Sequence, residues 1–177
     1  MKESILIVSG TDRPNAMTRK VALYYQKVLE DLGCDTSILD LADLNKDFIG
    51  KALYHNTGKY EHFNGFVSLV SAHQKFVFIL PEYNGSYPGI LKTFIDGLPY
   101  PNALSNKKAA LVGISANMQG GGIALSHLSD VFSYLGMHTL ALRVKLGQIK
   151  THFQDGQFTN SLYRELIDTQ ARQLLDF

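Results

Sequence analysis

Short apolar segments alternate with longer amphipathic segments along the chain. Residues 5–9 (ILIVS) and 75–80 (KFVFIL) are almost continuously apolar, which is typical of strands that are covered on both faces. Across residues 17–32, apolar side chains recur at helical spacing with charged residues between them, and Gly33 follows as a C-terminal stop. This pattern predicts buried strands and an amphipathic helix.

The same alternation continues to the end of the chain. The predicted strands are residues 5–9, 36–41, 75–80, 109–115 and 138–144, and the predicted helices are residues 17–32, 63–70, 90–98, 123–136 and 162–177. Parallel strands need crossover connections, which helices usually supply. The alternation therefore predicts an α/β protein in which helices cover both faces of a five-stranded parallel sheet, as a three-layer α/β/α sandwich.

Two segments depart from this alternation. Residues 44–61 show no regular pattern, and residues 153–158 (FQDGQF) predict a tight turn at Asp155 and Gly156, as in a small hairpin. The chain has no repeat, linker or low-complexity tract. We therefore expect residues 1–177 to form a single domain.

The composition argues against several classes of protein. With 17 Lys and Arg against 16 Asp and Glu, the net charge is +1, so the chain lacks the basic excess of proteins that bind nucleic acids or membrane surfaces. No segment approaches the roughly 20 apolar residues of a membrane span, and the N-terminal apolar stretch is too short for a signal peptide. The single cysteine, Cys34, cannot form an internal disulfide, which favours a reducing compartment. We expect a cytoplasmic protein.

The loop after the first strand has the groups that a phosphate needs. Residues 9–20 (SGTDRPNAMTRK) combine hydroxyls, an amide and the guanidinium of Arg13 with the start of a helix, where free N–H groups and the positive end of the helix dipole attract anions. The alternative is an ordinary polar turn in which Asn15 caps the helix. The loop matches neither the Walker phosphate loop nor the GxGxxG fingerprint, so both interpretations stay open.

Two further strand ends carry candidate binding residues. Residues 81–89 (PEYNGSYPG) offer a glycine against which a flat ligand can lie and an asparagine that can donate and accept hydrogen bonds. The alternative is a rigid connection from strand to helix, which explains the prolines but not YNGS. Residues 115–122 (SANMQGGG) place three glycines before a helix. In the flavodoxin-like strand order 2-1-3-4-5, these loops converge with the first one, and a phosphate would lie beside a planar ring.

These loops resemble those of a known family. Residues 81–98 (PEYNGSYPGILKTFIDGL) resemble the pattern PEYNxSxPGxLKNxIDWL, and the first loop resembles GSxRxxSxN. Both patterns are typical of the NAD(P)H-dependent FMN reductases, which include quinone, azo and chromate reductases. The resemblance covers nearly the whole chain and implies a flavodoxin-like fold.

The resemblance also implies which residues surround FMN. Those around its phosphate, ribityl chain and ring would be Thr11, Arg13, Ala16, Met17, Thr18, Pro81, Glu82, Tyr83, Asn84, Gly85, Ser86 and Ser115. Backbone N–H groups near Asn84 and Gly85 would stabilise charge on the reduced ring, and no side chain need act as a nucleophile. Two positions depart from the family pattern, since Ala16 replaces a serine and Gly97 replaces a tryptophan.

By the same resemblance, the protein would be an enzyme that passes a hydride from NADPH or NADH through FMN to a flavin, quinone, azo compound or similar small-molecule acceptor. It would form a homodimer or homotetramer, with the predicted helix at residues 90–98 in the interface. We expect no metal, because the six histidines show no HExxH or paired ligand spacing. The alternative is a non-catalytic flavodoxin-like electron carrier, or a binding module that has lost FMN, which Ala16 leaves open.

Glu82 has two possible roles in this scheme. It could act as a general acid, since carboxyl groups in clefts often do. Its place in the family pattern favours a structural hydrogen bond or a subunit contact.

Overall fold

Five parallel strands form the central sheet of the protein. In the computed structural model, which describes residues 4–100 and 103–177, the strands are β1 (Ser4–Ser9), β2 (Asp35–Asp40), β3 (Lys75–Pro81), β4 (Lys108–Ile114) and β5 (His138–Leu146). They lie in the order β2-β1-β3-β4-β5, and every neighbouring pair is parallel. The predicted sheet and its flavodoxin-like order are confirmed.

Helices cover both faces of this sheet. They are α1 (Met17–Asp31), α2 (Phe48–Ala52), α3 (Glu61–Ala72), α4 (Gly89–Gly97), α5 (Gly122–Tyr134), α6 (Ile149–His152) and α7 (Ser161–Asp176). Leu6 and Val8 of β1 belong to the core beneath α3, α4 and α5, whereas Ile5 and Ile7 belong to the core beneath α1 and α7, because successive side chains of a strand point to opposite faces. The three-layer sandwich is therefore confirmed. None of the helices in the described ranges is long and apolar enough to cross a membrane.

The segment between β2 and α3 is more ordered than the sequence predicts. It contains the short helix α2 and 3-10 turns at Leu41–Asp43 and Tyr54–Asn56. Phe48 of α2 is buried, and its ring stacks on that of Phe63 in α3 with the ring centroids 5.5 Å apart. A helix of 5 residues is too short to show a helical period in the sequence, so tertiary packing determines this segment.

The packing of Phe63 also explains the unusual glycine at the end of α4. A Cβ atom added to Gly97 would lie 2.7 Å from Cζ of Phe63, which is closer than the optimal separation of about 3.5–4.0 Å between carbon atoms. The same ring contacts Phe94 edge to face, with the centroids 5.7 Å apart. The Phe63 ring therefore fills the space into which a side chain at position 97 would extend.

The predicted turn at Asp155 and Gly156 is confirmed as part of a hairpin. β6 (Phe153–Gln154) pairs with β7 (Gln157–Phe158) in antiparallel orientation, and the two turn residues have φ values of 49° and 77°. Positive φ at both central positions is the geometry of a type I′ turn, which favours the sequence Asp-Gly. In the described part of the chain, a Cβ atom added to Gly156 would meet no atom within 4 Å beyond its two chain neighbours.

Candidate functional site

A cleft of about 590 Å³ opens at the carboxyl edge of the sheet, where β1, β3 and β4 end. Its lining consists of Thr11, Arg13, Pro14, Asn15, Ala16, Met17, Thr18, Lys20, Pro81, Glu82, Tyr83, Ile114, Ser115, Ala116, Ile149 and Lys150. The neighbouring strands β1 and β3 lead to helices on opposite faces of the sheet. Open α/β sheets bind ligands at such a switch point, so the cleft lies where the fold favours a ligand.

Most of the residues that the sequence suggests as flavin contacts line this cleft. They are Thr11, Arg13, Ala16, Met17, Thr18, Pro81, Glu82, Tyr83 and Ser115. Asn84, Gly85 and Ser86 do not belong to the cleft lining and form the turn that directly follows Tyr83. The three strand-end loops thus meet at one edge of the sheet.

Two basic residues of the cleft were missed by the sequence reasoning. Lys20 lies in the first turn of α1, and Lys150 lies in α6. The helix α6 follows β5, and the carboxyl ends of all parallel strands lie at the same edge of a sheet. The segment after β5 is therefore a fourth source of site residues, although neither lysine has a sequence pattern that marks it.

The N-terminus of α1 faces the cleft without a side-chain cap. Its N-cap residue is Ala16, and the first turn contains no acidic residue. Asn15 precedes the N-cap position and has a φ of 54°, so the interpretation in which Asn15 caps the helix is wrong. The first N–H groups of a helix have no partner within the helix, and here they remain available to an anion.

The Ala16→Ser variant should unfold at higher denaturant concentration than the unmodified apoprotein. A serine oxygen at the N-cap accepts a hydrogen bond from an N–H group of the first turn, which adds about 0.5–2 kcal/mol to the free energy of unfolding. Urea unfolding in the absence of flavin measures this gain. Ala16→Val, which brings no acceptor, is the control, and equal stability of the serine and valine variants would contradict the assignment of the N-cap.

Thr18 is held by a hydrogen bond within the same loop region. The Ser9 hydroxyl donates to Oγ1 of Thr18 over 3.0 Å, and both side chains are buried. Because Thr18 accepts in this bond, its own hydroxyl hydrogen can be donated to another group. Thr18 therefore offers a donor beside the uncapped helix N-terminus.

Tyr83 connects the first loop with the turn after β3. Its hydroxyl oxygen lies 3.1 Å from Oγ1 of Thr11. The guanidinium carbon of Arg13 lies 5.9 Å from the centroid of the Tyr83 ring, within the range of a cation–π interaction. Two residues of the first loop therefore contact one side chain of the second.

The YNGS segment forms a type I′ turn. The N–H of Tyr83 donates to the carbonyl of Ser86 over 2.8 Å, and the N–H of Ser86 donates back over 3.0 Å. Asn84 and Gly85 have φ values of 51° and 74°, the positive values that favour Asn-Gly. The inference that a rigid connection fails to explain YNGS is therefore wrong, because turn geometry alone accounts for Asn-Gly. Beyond its two chain neighbours, a Cβ atom on Gly85 would meet no atom of residues 4–100 and 103–177 within 4 Å, which leaves the space beside the turn open.

Glu82 contributes an unusual acceptor to the cleft. Its residue is half-buried, and its Oε2 atom is buried without a hydrogen-bond partner among the described residues. The expected structural hydrogen bond is thus not made by this oxygen within those residues. A buried acceptor that lacks a donor is unfavourable, so the site suits a ligand or a partner subunit that donates a hydrogen bond.

The loop after β4 is held tightly against the sheet. The Ser115 hydroxyl lies 2.6 Å from Oδ1 of Asn117 and accepts a hydrogen bond from the N–H of Gly120 over 2.9 Å. A Cβ atom on Gly120 would lie 2.6 Å from the carbonyl carbon of Lys145 in β5. The Ser115 hydroxyl and Gly120 therefore hold the loop in its conformation. The sequence did not reveal this structural role of the two residues.

A histidine on α5 contacts the last residue of the turn. Nδ1 of His127 lies 3.0 Å from Oγ of Ser86. Within residues 4–100 and 103–177, no three His, Cys, Asp or Glu side chains form a group that could hold a metal ion. His127 therefore enters the site as a neighbour of the turn.

Comparison with known families gives one match that covers most of the chain. The family model for NADPH-dependent FMN reductase matches residues 4–150. An NAD(P)H-dependent FMN reductase of Pseudomonas aeruginosa is 33% identical over 109 residues, which cover 59% of this chain and 59% of that protein. A quinone reductase of Pseudomonas putida is 28% identical over 174 residues, which cover 93% of this chain and 88% of that protein. An NAD(P)H-dependent FMN reductase of Schizosaccharomyces pombe is 38% identical over 77 residues, which cover 44% of this chain and 36% of that protein.

Solved structures share the fold at lower sequence identity. The flavoenzyme FerB of Paracoccus denitrificans, an NAD(P)H:(acceptor) oxidoreductase, superposes with a TM-score of 0.80 at 22% identity, over 98% of this chain and 96% of that chain. A flavodoxin from the domain Archaea superposes with a TM-score of 0.65 at 10% identity, over 98% and 96% of the two chains. At these identities the likeness establishes the flavodoxin-like fold.

Proposed function

Because the chain belongs to the NADPH-dependent FMN reductase family, we propose that it is an enzyme that binds FMN and passes a hydride from NADPH or NADH to a small-molecule acceptor. The observation that carries this proposal is the uncapped N-terminus of α1, which opens into a cleft beside the Tyr83–Ser86 turn. The relatives named FMN reductase and quinone reductase support flavins and quinones as the classes of acceptor.

The first loop fits the phosphate group of FMN. The N–H groups of the first turn of α1 are uncapped, and Thr18 can donate its hydroxyl hydrogen. Arg13, Lys20 and Lys150 line the same cleft and supply positive charge. A phosphate dianion is favoured where helix N–H groups and cations converge. The first loop offers a site for one phosphate and lacks the second glycine-rich turn that would hold a diphosphate. This difference favours FMN over FAD.

The remaining loops fit the ribityl chain and the ring. The turn at Asn84 and Gly85 leaves open space where a Cβ atom would stand, so a flat ring can approach the backbone there. Oε2 of Glu82, a buried acceptor that has no donor among the described residues, suits a ribityl hydroxyl. The Ser115 loop closes the far side of the cleft.

The protein would bind and orient the reacting groups. When bound, FMN supplies the redox chemistry, because it can accept the hydride from the nicotinamide and pass it on to the acceptor. Backbone N–H groups near Asn84 and Gly85 would donate hydrogen bonds toward the ring. Because the turn would cover one side of the ring, donor and acceptor would use the same open side in succession.

Titration of the apoprotein with flavins tests the cofactor assignment. We expect FMN to bind at least roughly tenfold more tightly than FAD or riboflavin, because only FMN matches a site for a single phosphate monoester. Flavin fluorescence measures the three affinities, and the absorption spectrum of the purified protein shows whether flavin stays bound. Tighter binding of FAD, or no binding of any flavin, would contradict the proposal.

Steady-state kinetics tests the reaction. With a quinone as acceptor, we expect oxidation of NADPH or NADH. We also expect parallel double-reciprocal lines, because the two substrates would occupy the same binding position on the open side of the ring in succession. Lines that converge for several acceptors would indicate two sites that are occupied together. A protein that binds FMN but oxidises neither nicotinamide would instead be the non-catalytic electron carrier.

We also propose that the protein forms a homodimer, alone or within a homotetramer, through a groove between α4 and α5. The groove has a volume of about 410 Å³, and its lining includes Ile95, Leu98, Val131 and Leu135. Tyr134 also lines this groove and is 80% exposed. Exposed apolar grooves with aromatic residues are typical of subunit interfaces, and α4 corresponds to the helix that the family resemblance places in the interface.

The Tyr134→Lys variant should weaken this dimer. An aromatic residue at the centre of an interface typically contributes 2 kcal/mol or more, roughly thirtyfold in the dissociation constant, and a lysine adds an unpaired charge. Sedimentation velocity over a range of protein concentrations measures the change. Leu162→Lys on α7 is the control, since Leu162 is 54% exposed and lies outside the groove. A dimer that dissociates equally in both variants would contradict the proposed interface.

We place the protein in the cytoplasm and propose that residues 1–177 act as a single domain. The thiol of Cys34 is buried, and a single cysteine suits a reducing compartment. Both apolar cores pack against one central sheet, which supports a single folding unit. Recovery of the protein from an extracytoplasmic fraction would contradict the location.

A further inference from the structure

One side-chain hydrogen bond joins the first loop to the turn after β3. It connects Oγ1 of Thr11 with the hydroxyl of Tyr83 over 3.1 Å, and among the described residues no other hydrogen bond links residues 11–18 with residues 82–88. We propose that Tyr83 is a positioning residue that, through its bond to Thr11, makes phosphate binding and flavin-ring binding favour each other. This inference rests on the proposed binding of FMN.

The environment of Thr11 makes this bond hard to replace. Thr11 is 1% exposed, so water cannot readily take the place of a lost partner. Its other neighbour is the N–H of Arg13, at the long distance of 3.5 Å. A buried hydroxyl that loses its partner is unfavourable, so the position of Thr11 depends on the Tyr83 hydroxyl.

Tyr83 transmits the same dependence to the turn. Its backbone exchanges two hydrogen bonds with Ser86, over 2.8 Å and 3.0 Å, which close the turn. The Arg13 guanidinium also lies over the Tyr83 ring, 5.9 Å from its centroid. Arg13 therefore lines the proposed phosphate site and also rests on the residue that starts the ring-binding turn.

A ligand that orders one of these loops should lower the cost of ordering the other. Two sites that share an element in this way bind cooperatively even without a large structural change, and the coupling has the same size in both directions. FMN carries its phosphate and its ring in one molecule, which conceals the coupling. Riboflavin and inorganic phosphate separate the two parts.

The first experiment measures the riboflavin affinity of the apoprotein with and without inorganic phosphate at constant ionic strength. We expect phosphate to tighten riboflavin binding roughly two- to tenfold, the range that one neutral hydrogen bond supports. The Tyr83→Phe variant should show no such effect. Tyr87→Phe is the control, because Tyr87 lies in the same segment and no hydrogen bond connects it with residues 11–18 among those described; it should respond to phosphate as the unmodified protein does.

A second measurement separates coupling from direct phosphate binding. Inorganic phosphate should raise the melting temperature of both the unmodified apoprotein and Tyr83→Phe, because ligands that bind the folded state stabilise it. This result would show that the variant still binds phosphate. If phosphate no longer stabilised Tyr83→Phe, the hydroxyl would act at the phosphate itself, and the positioning role would be overturned.

A double-mutant cycle tests the path through Thr11. Thr11→Val should weaken riboflavin binding in the unmodified protein but have little further effect in Tyr83→Phe, because the two changes remove the same bond. Losses that add independently would overturn the proposed path.

The outcomes also distinguish this inference from the proposed function. If the unmodified apoprotein bound neither FMN nor riboflavin, the proposed function would fail and the coupling with it. If it bound both, and phosphate left its riboflavin affinity unchanged, the coupling alone would be overturned.

Discussion

The Gly85→Val variant should fold and yet bind FMN at least roughly a hundredfold more weakly than the unmodified protein. Apart from its two chain neighbours, no described residue has an atom within 4 Å of a Cβ atom at Gly85, so the branched side chain would enter the open space that we assign to the ring. Valine at a φ of 74° costs about 1–2 kcal/mol. This cost is small beside a typical stability of about 5–15 kcal/mol. Flavin titration of the apoprotein, with thermal unfolding followed in parallel, measures both effects.

The hairpin at Asp155 and Gly156 supplies the control for this variant. Gly156 has a φ of 77°, and a Cβ atom there likewise meets no described residue other than its chain neighbours within 4 Å. Gly156→Val should therefore lose about the same stability as Gly85→Val and keep its FMN affinity. If Gly85→Val kept normal FMN affinity, or if both variants lost it equally, the turn after Tyr83 would not line the ring.

The Gly120→Ala variant should lose about 3–5 kcal/mol of its free energy of unfolding. Most single substitutions cost about 0.5–3 kcal/mol, and larger losses indicate a severe steric conflict. The Cβ atom of the alanine would lie 2.6 Å from the carbonyl carbon of Lys145 and 2.7 Å from the backbone nitrogen of Leu146. Both neighbours are backbone atoms of β5 and cannot move aside without distorting the sheet. The φ of 63° adds strain for alanine. Chemical denaturation measures the loss.

Gly122→Ala is the matched control, two residues further along the same run of glycines. The Cβ atom of the alanine would lie 3.4 Å from Cδ of Lys145, which is a flexible side-chain atom. Residue 122 is the first residue of α5. Alanine is favoured over glycine in helices, so we expect no loss of stability. Equal losses in the two variants would show that the close approach at Gly120 does not hold the loop.

The three central strands β1, β3 and β4 could be predicted because they are nearly continuous apolar runs. In β3 every residue from Lys75 to Pro81 is buried, and such a run gives a clear signal without any knowledge of its neighbours. The strand order followed from flavodoxin-like connectivity, in which β1 lies beside both β2 and β3. By contrast, α2 depends on the contact of Phe48 with Phe63, which are far apart in the sequence.

The candidate site was predictable in part for the same reason. Loops that directly follow strands can be placed at one edge of the sheet from the topology alone, and Thr11, Glu82 and Ser115 indeed meet there. The sequence could not reveal how their side chains are used. The Ser115 hydroxyl is engaged within its own loop, and Asn84 occupies a position that the turn requires. Asn-Gly is itself a local signal for such a turn, but the bond between Thr11 and Tyr83 depends on a distance between two loops, which no local pattern encodes.

The contact between Gly97 and Phe63 makes these two positions epistatic. The phenylalanine ring of α3 fills the space beside α4 into which a side chain at position 97 would extend. A lineage that first enlarged position 97 would meet the Phe63 ring at 2.7 Å, whereas one that first truncated Phe63 would open a cavity that typically costs about 3–5 kcal/mol. Each single step is unfavourable, so transplanting the tryptophan into this protein requires both substitutions together.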